Sequence, residues 1–300
     1  MTDLGIVIVN WNTCDLLRRC LQTVLASQGV TFRVVVVDNA STDGSPDMVR
    51  AEFPGVDLIV SPINGGFAYA NNLGLRALGF GRGCGEDAPC YALLLNPDTE
   101  VPPDALREMV AFMDADPRIG VAGPKLVLPD GSLDLACRRS FPTPEISAYR
   151  MIGLSRLFPR SRRFGRYNLT YLDPDLVTEV DSVVGAYMQV RREAIASVGL
   201  LDEVYFMYAE DIDWAYRVKQ AGWTVWYNPR VTVLHVKRAA SRRNPRAQRE
   251  FYRAMLIFYR RHYRAGTPLW LHSLILLGLL LKGGRAIWTE IWNPTPLPAV

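Results

Sequence analysis

The 300-residue chain has no apolar run long enough to cross a bilayer as a helix, which takes about 20 residues. The most apolar stretch, LWLHSLILLGLLL at 269–281, ends after 13 residues, and Lys282 and Arg285 interrupt any continuation. No basic region or cleavage site precedes the first apolar segment in MTDLGIVIVNWN, so no signal peptide is expected. There are only 3 histidines, and the 5 cysteines fall at no zinc-binding spacing. Cys84 and Cys90 bracket a Gly-rich loop, CGEDAPC, and are expected as a reduced, cytosolic pair. Internal repeats and low-complexity segments are absent. Acids are scarce in two places. Residues 138–166 hold 8 Arg against Glu145 alone, and residues 237–264 hold 10 Lys or Arg against Glu250 alone, although the net charge is only +4. Such patches are either solvated faces or the footprint of a polyanionic partner: phosphate, anionic lipid or nucleic acid.

What is plentiful is apolar residues, at 49% of the chain, enough for a large core. In the first half they form continuous runs: GIVIVN at 5–10, RVVVVD at 33–38, DLIVS at 57–61 and YALLLN at 91–96. Between them, 15–27, 45–53, 66–78 and 102–116 read as helices, the second opening on Ser45 as cap and Pro46 at its first position. Unbroken apolar strands alternating with helices predict an α/β fold with a mostly parallel sheet covered on both faces. The second half is less regular. Residues 138–175 read as a long loop or small lid, and 179–192 as a strand pair or a strand into a turn. Residues 209–222 read as a helix, and 223–229 and 231–236 as two short strands. Residues 249–266 read as a helix with basic and aromatic residues interleaved. The 269–281 run, flanked by Trp, Tyr, Lys and Arg, fits an anchor lying in a membrane surface; a core helix docked on the main body is the alternative.

In parallel sheets, ligands bind beyond the carboxyl ends of the strands. Here four strands end in polar residues: Asn10-Trp11-Asn12, Asp38-Asn39-Ala40-Ser41, Ser61-Pro62-Ile63-Asn64 and Asn96-Pro97-Asp98. Pro97 cannot continue a central strand, so Asp98 is delivered past the sheet edge. Alone, Asp98 could equally serve the dipole of the helix that follows. A second acidic set, Glu210-Asp211-Ile212-Asp213, opens a helix, where mutual repulsion suits a cation or a proton acceptor. His235 closes the last strand. A carboxylate plus a neutral imidazole suits Mg2+ or Mn2+, with a bound diphosphate supplying further oxygens.

Taken in order, IVIVNWN, VVVVDNASTDGS, NGGFAYANNLG, LLLNPD, VVGAYMQVRREAIASVGLLDE and FMYAEDIDWAYRVKQAGW resemble glycosyltransferase family two, most closely its bacterial rhamnosyltransferase branch. The resemblance spans roughly residues 4–238. It implies a GT-A fold over 1–238, with 239–300 a C-terminal helical, partly basic and amphipathic extension. It also implies a nucleotide-diphospho-sugar donor, a divalent cation and inversion at the anomeric carbon. Carried over position by position, it implies that Val9, Asn10 and Asn12 line the nucleotide pocket, that Asp38 and Asn39 meet base and ribose, and that Asp43 lies nearby. Asn64, Gly66, Phe67 and Asn71 match the segment that approaches the donor. Asn96-Pro97-Asp98 stands where the family usually has DxD: Asp98 would hold the metal together with His235, and Asn96 replaces the first acid. Asp211 matches the catalytic base, with Glu210 and Asp213 in support. Trp214 and Arg217 follow where processive members carry a separate QxxRW motif, which is missing. Those two residues are therefore expected at the acceptor, and a single sugar is expected to be added.

The basic patches and the 269–281 run fit an acceptor at an anionic membrane surface, such as a saccharide on a polyprenyl diphosphate. The favoured donor is dTDP-L-rhamnose, and the expected place is the inner face of the cell membrane, in cell-wall or surface-polysaccharide synthesis. A UDP-hexose or UDP-galactofuranose donor remains open, since one methyl group on the base is worth only about 1–3 kcal/mol. A nucleotidyltransferase would need a Gly-rich Arg-Lys loop near the first strand, which is absent. A nucleic-acid-binding protein would leave the acids without a purpose, so no nucleic-acid partner is expected. The oligomeric state is left open, a dimer included.

Overall fold

Seven residues, LGIVIVN, form β1 (Leu4–Asn10), buried along its whole length. It pairs in parallel with β2 (Phe32–Asp38) on one side and β4 (Tyr91–Leu95) on the other. A strand covered on both faces needs apolar residues at every position, which is why these segments show no alternation. Further out, β3 (Asp57–Val60) pairs with β2 and is largely exposed. The crossovers are α1 (Cys14–Leu25), α2 (Ser45–Glu52) and α3 (Phe67–Ala77). Gly74 lets α3 lie close on the sheet: a Cβ there would sit 2.5 Å from Val7 Cγ1. The structure is a computed structural model and describes residues 2–237 and 245–296. From the basic stretch at 237–264, Arg238, Arg242 and Arg243 lie outside the described residues.

Beyond β4 the sheet becomes mixed. Its order is β3-β2-β1-β4-β8-β6-β9-β5, with β7 also on β9. β8 (Tyr187–Arg191) runs antiparallel to both β4 and β6 (Ile119–Val127). β9 (Thr224–His235) runs parallel to β6, with β5 (Thr99–Glu100) and β7 (Thr178–Glu179) antiparallel to it. The expected parallel arrangement therefore holds in the N-terminal half, and the result is a mixed α/β sheet with helices packed on it. Two expected strands are one: β9 continues through Pro229 by a bulge, where the partner of Pro124 is Asn228 and that of Lys125 is Thr232.

The segment read as a loop or lid contains α5 (Pro144–Met151) and α6 (Leu154–Leu157). Thr143 caps α5, its hydroxyl accepting from Ile146 N at 3.3 Å, and Pro144 takes the first position. Only Ile146 of α5 is buried, so no apolar period marks the helix. After α4 (Ala105–Asp114), α7 (Arg192–Val198) and α8 (Glu210–Gln220), the chain ends in α9 (Pro245–His262), α10 (Leu269–Gly283) and α11 (Arg285–Trp292). One side of α9 packs Ala254, Ile257 and Phe258 against Tyr205 and Ile212; the other packs Leu256 and Tyr259 against Leu279 and Ile287. α10 is not a core helix. Leu279 is its one fully buried residue, while Trp270 is 67% and Leu281 77% exposed. No helix among the described residues is long and apolar enough to cross a membrane.

Candidate functional site

The strand ends are tied together by their own polar side chains. Asn10 donates from Nδ2 to Asp38 Oδ1 at 3.0 Å and to Ser41 Oγ at 3.1 Å, and Asp38 Oδ2 accepts from Ser41 N. Asn12, at φ 53°, accepts from Thr42 N. Asp43 accepts from Cys14 N and Ser45 N, bracing the starts of α1 and α2. Asn39 donates to Asn64 Oδ1 and Gly66 O and accepts from Gly65 N. Gly66 must be glycine: its φ is +94°, and a Cβ would meet Phe206 O at 2.3 Å. Asn71 donates to Phe67 O within α3, and Val9 lies beside Val37 in the strand register. These residues form one rim over β1, β2 and β3, with buried amides and carboxyls holding the backbone in place.

A cavity of about 710 Å3 opens beside that rim. Phe67, Asn96, Asp98, His235, Glu210 and Asp211 all line it, although they are spread along the sequence from 67 to 235. Asp98 and His235 meet because β5 pairs with the end of β9, Thr99 opposite His235. His235 Nε2 lies 3.3 Å from Asp98 Oδ1, and its Nδ1 lies 2.9 Å from Asp134 Oδ2. Lys237 donates to the other oxygen of Asp134 at 2.9 Å. Burial opposes charge on the imidazole, yet hydrogen bonds to Asp134 and Asp98 raise its pKa to about 9. That arrangement holds the ring as an imidazolium between two carboxylates; a divalent cation could use Asp98 and His235 Nε2 only with that proton released, the Asp134–His235 bond then fixing the ring. Two such ligands face the cavity, and no cluster of three is present among the described residues.

α8 lines the same cavity with Glu210, Asp211 and Ile212. It starts after two non-glycine residues in the left-handed region, Tyr208 (φ 71°) and Ala209 (φ 64°), a strained entry that sets the direction of Glu210 and Asp211. Asp211 Oδ2 accepts from Arg139 Nη2 at 2.7 Å and from Gly185 N at 2.9 Å; Oδ1 accepts from Ile212 N at 2.7 Å. Arg139 and Asp211 form an ion pair with side chains only 8% and 7% exposed. Arg139 also donates to Val183 O. Glu210 is buried beside them, with Oε2 lacking any hydrogen-bond partner. Burial and the neighbouring Asp211 push its pKa up to about 8.

Some expected site residues are not brought to the cavity. Trp214 is fully buried and donates its indole N–H to Gly199 O. Arg217 donates to Asp213, Val198 O and Leu200 O. Both anchor α8 to the body and do not line this cavity. Asp213 also faces away: it bonds Arg217 and His262, joining α8 to α9. Conversely, Arg139 and Asp134 belong to the site and were not expected there. Arg139 and Arg138 lie in a run that reads as a solvated face or the footprint of a polyanionic partner, yet both are buried. Arg138 donates to Leu172 O and Asp173 O.

The raised carboxyl of Glu210 gives a test. A group whose pKa rises from 4.5 to about 8 on folding holds a proton that the unfolded chain releases. Its stabilising contribution is complete below pH 4.5 and is lost as pH climbs to 8. Glu210→Gln, which is neutral throughout, should flatten the fall of the thermal midpoint between pH 5 and pH 8. Melting curves at pH 5, 6.5 and 8 with identical slopes for both proteins would remove Glu210 as the cause.

Residues 5–177 match the family described as glycosyl transferase family 2. The chain is 32% identical to the N-acetylglucosaminyl-diphospho-decaprenol L-rhamnosyltransferase of Mycobacterium tuberculosis (strain ATCC 25618 / H37Rv), over 82% of this chain and 80% of that protein. It is 26% identical to the rhamnosyltransferase WbbL of Escherichia coli (strain K12), over 77% of this chain and 82% of WbbL. Among solved structures it resembles the mannosyltransferase PcManGT of Pyrobaculum calidifontis in complex with GDP-Man and Mn2+. The TM-score is 0.59 at 16% identity, covering 98% of this chain and 76% of that one. It also resembles GalNAc-T7 with UDP, GalNAc and Mn2+, with a TM-score of 0.59 at 15% identity, over 99% of this chain and 59% of that one.

Proposed function

Because the chain belongs to glycosyl transferase family 2 and is a glycosyltransferase, we propose that it moves one L-rhamnose from dTDP-L-rhamnose to a saccharide carried on a polyprenyl diphosphate, inverting the anomeric carbon. The observation that carries the reading is one cavity lined together by Asp98, His235 and Asp211. The rhamnosyl donor and lipid-linked acceptor are supported by the names of the relatives, and the nucleotide-sugar donor also by the ligands of the structural neighbours.

Asn10, Asn12, Asp38, Asn39 and Asn64 shape the nucleotide rim, and Gly66 and Phe67 bring α3 to the donor. Asp98 and His235, the latter deprotonated, would hold Mg2+ or Mn2+, with Asp134 orienting the imidazole. When bound, such a cation offsets the charge that develops on the diphosphate leaving group. Asp211, aimed by Arg139 and Gly185 N, accepts the proton of the acceptor hydroxyl as that oxygen attacks the anomeric carbon. A single displacement inverts the centre, so no covalent intermediate is required. Glu210 lies within the same wall and adds no second charge while protonated.

The division near residue 238, into a transferase body and a helical extension, belongs to this proposal. So does placement on the inner face of the membrane. The exposed tryptophans and leucines of α10 and α11 support it, since amphipathic aromatics favour the bilayer interface. The test is a donor panel: dTDP-L-rhamnose, UDP-glucose, UDP-galactose, UDP-GlcNAc and GDP-mannose, each with Mg2+, Mn2+ or a chelator. Binding by calorimetry and nucleotide release should favour dTDP-L-rhamnose, require the cation, and be lost in Asp98→Ala. Preference for a UDP-sugar would move the donor assignment and keep the mechanism; cation-independent turnover would overturn the metal assignment.

A further inference from the structure

The cavity does not end at the catalytic acids. It continues outward between α5, α9 and α10, where its walls change chemistry. The inner end carries Asp98, Glu210 and Asp211. The outer end is lined by Met151, Phe251, Tyr252 and Met255, with the cations Arg150 and Lys282 among them. At about 710 Å3 the whole space falls in the range of small-ligand sites and exceeds what one sugar fills. α5 and α10 meet along one side of the outer end: a Cβ on Gly278 would lie 3.0 Å from Met151 Cε. The protein surface flanking that seam is apolar on both sides. Ile152, Leu157 and Phe158 are exposed on the α5–α6 side, and Leu274, Leu277 and Leu281 on α10.

We propose that the outer half of this cavity binds the isoprenoid diphosphate of the acceptor, which enters from the bilayer plane beside the α5–α10 seam. This rests on the reading of the acceptor as lipid-linked. Arg150 and Lys282 face the diphosphate, and Met151, Tyr252 and Met255 face the first isoprene units. The saccharide then points inward to Asp211. The assignment follows from complementarity. In the proposed reaction the inner end is taken by the donor's own diphosphate, and a second diphosphate is attracted by the two cations further out. An apolar chain leaving the cavity meets apolar surface on either side of the seam, so the lipid need not cross water between bilayer and site. A purely polysaccharide acceptor would have no use for the methionines or for the exposed leucines.

The test uses the full-length protein with Mg2+ and saturating dTDP, titrated by calorimetry with farnesyl diphosphate, farnesol or inorganic diphosphate. Farnesyl diphosphate should bind at least tenfold tighter than either fragment. The double variant Arg150→Ala/Lys282→Ala, altered at two exposed side chains, should weaken farnesyl diphosphate tenfold or more and leave dTDP binding unchanged. Met255→Asp should make farnesyl diphosphate bind no better than inorganic diphosphate; its thermal midpoint serves as a folding control. Wild-type affinity for farnesyl diphosphate in the double variant would overturn the proposal. So would equal binding of farnesyl diphosphate and inorganic diphosphate by the wild-type protein. A wrong donor sugar would show in the donor panel and would leave these affinity ratios as they are, so the two failures are separable.

Discussion

Asp211→Asn is expected to slow sugar transfer about a thousandfold, within the range usual for loss of a general base, while nucleotide affinity stays within twofold. The two effects separate because the groups are separate. The nucleotide rim is built from Asn10, Asp38, Asn39 and Asn64, bonded to one another and to the backbone around them. Asp211 is on α8, bonded to Arg139, Gly185 N and Ile212 N, none of which bonds the rim residues. An asparagine can keep one of its acceptor roles but puts an N–H toward Arg139 or Ile212, so a modest loss of stability should accompany the loss of rate. The paired control is Glu210→Gln. With its pKa raised to about 8, Glu210 is already mostly protonated at neutral pH, and its amide should cost less than tenfold in rate. Initial rates for both variants, with nucleotide Kd by calorimetry, decide the matter. Near-normal turnover in Asp211→Asn together with about a thousandfold loss in Glu210→Gln would exchange the two roles.

The parts of the fold legible in the sequence are those where neighbouring residues share one environment. The apolar residues of GIVIVN, VVVVD and YALLL are buried on both faces, so each repeats the same message, and the polar residue that ends or follows each run marks the site's edge. The acids on α8 and Asp98 were legible for the same reason: each interrupts a pattern. What was not legible depends on partners far away in the chain. Arg139 meets Asp211 across 72 positions, and Asp134 meets His235 across 101. Nothing local distinguishes a buried arginine in CRRS from the solvated arginines that follow it. Trp214 and Arg217 show the converse. They sit close to the proposed catalytic acids in sequence, but their N–H groups are taken up elsewhere: Trp214 donates to Gly199 O, and Arg217 to Asp213, Val198 O and Leu200 O. α5 was missed because only one of its residues is buried, leaving its Thr-Pro start as the sole signal.

Arg139→Met should lower stability by about 3–5 kcal/mol, because removing one partner of a buried ion pair leaves the other charge desolvated and unopposed. Asp211 is 5% exposed, and its remaining donors are two backbone N–H groups. Transfer should fall along with stability, since Arg139 also fixes the direction of the Asp211 carboxylate by bonding Val183 O and Ser182 Oγ on the facing loop. The informative measurement is the double variant Arg139→Met/Asp211→Asn. With both charges gone, no buried carboxylate lacks a counter-charge, and most of the lost stability should return, even though activity remains absent. Denaturant midpoints for the two single variants, the double variant and the wild type form a cycle whose coupling energy reads the ion pair directly. Additive losses would mean that Arg139 acts by filling space, and that the aim of Asp211 is set by α8 and Gly185 alone. Coupling comparable to the loss in Arg139→Met would instead make residue 139 the positioning group for the base: a cation from the 138–166 segment that holds α8's catalytic acid toward the acceptor.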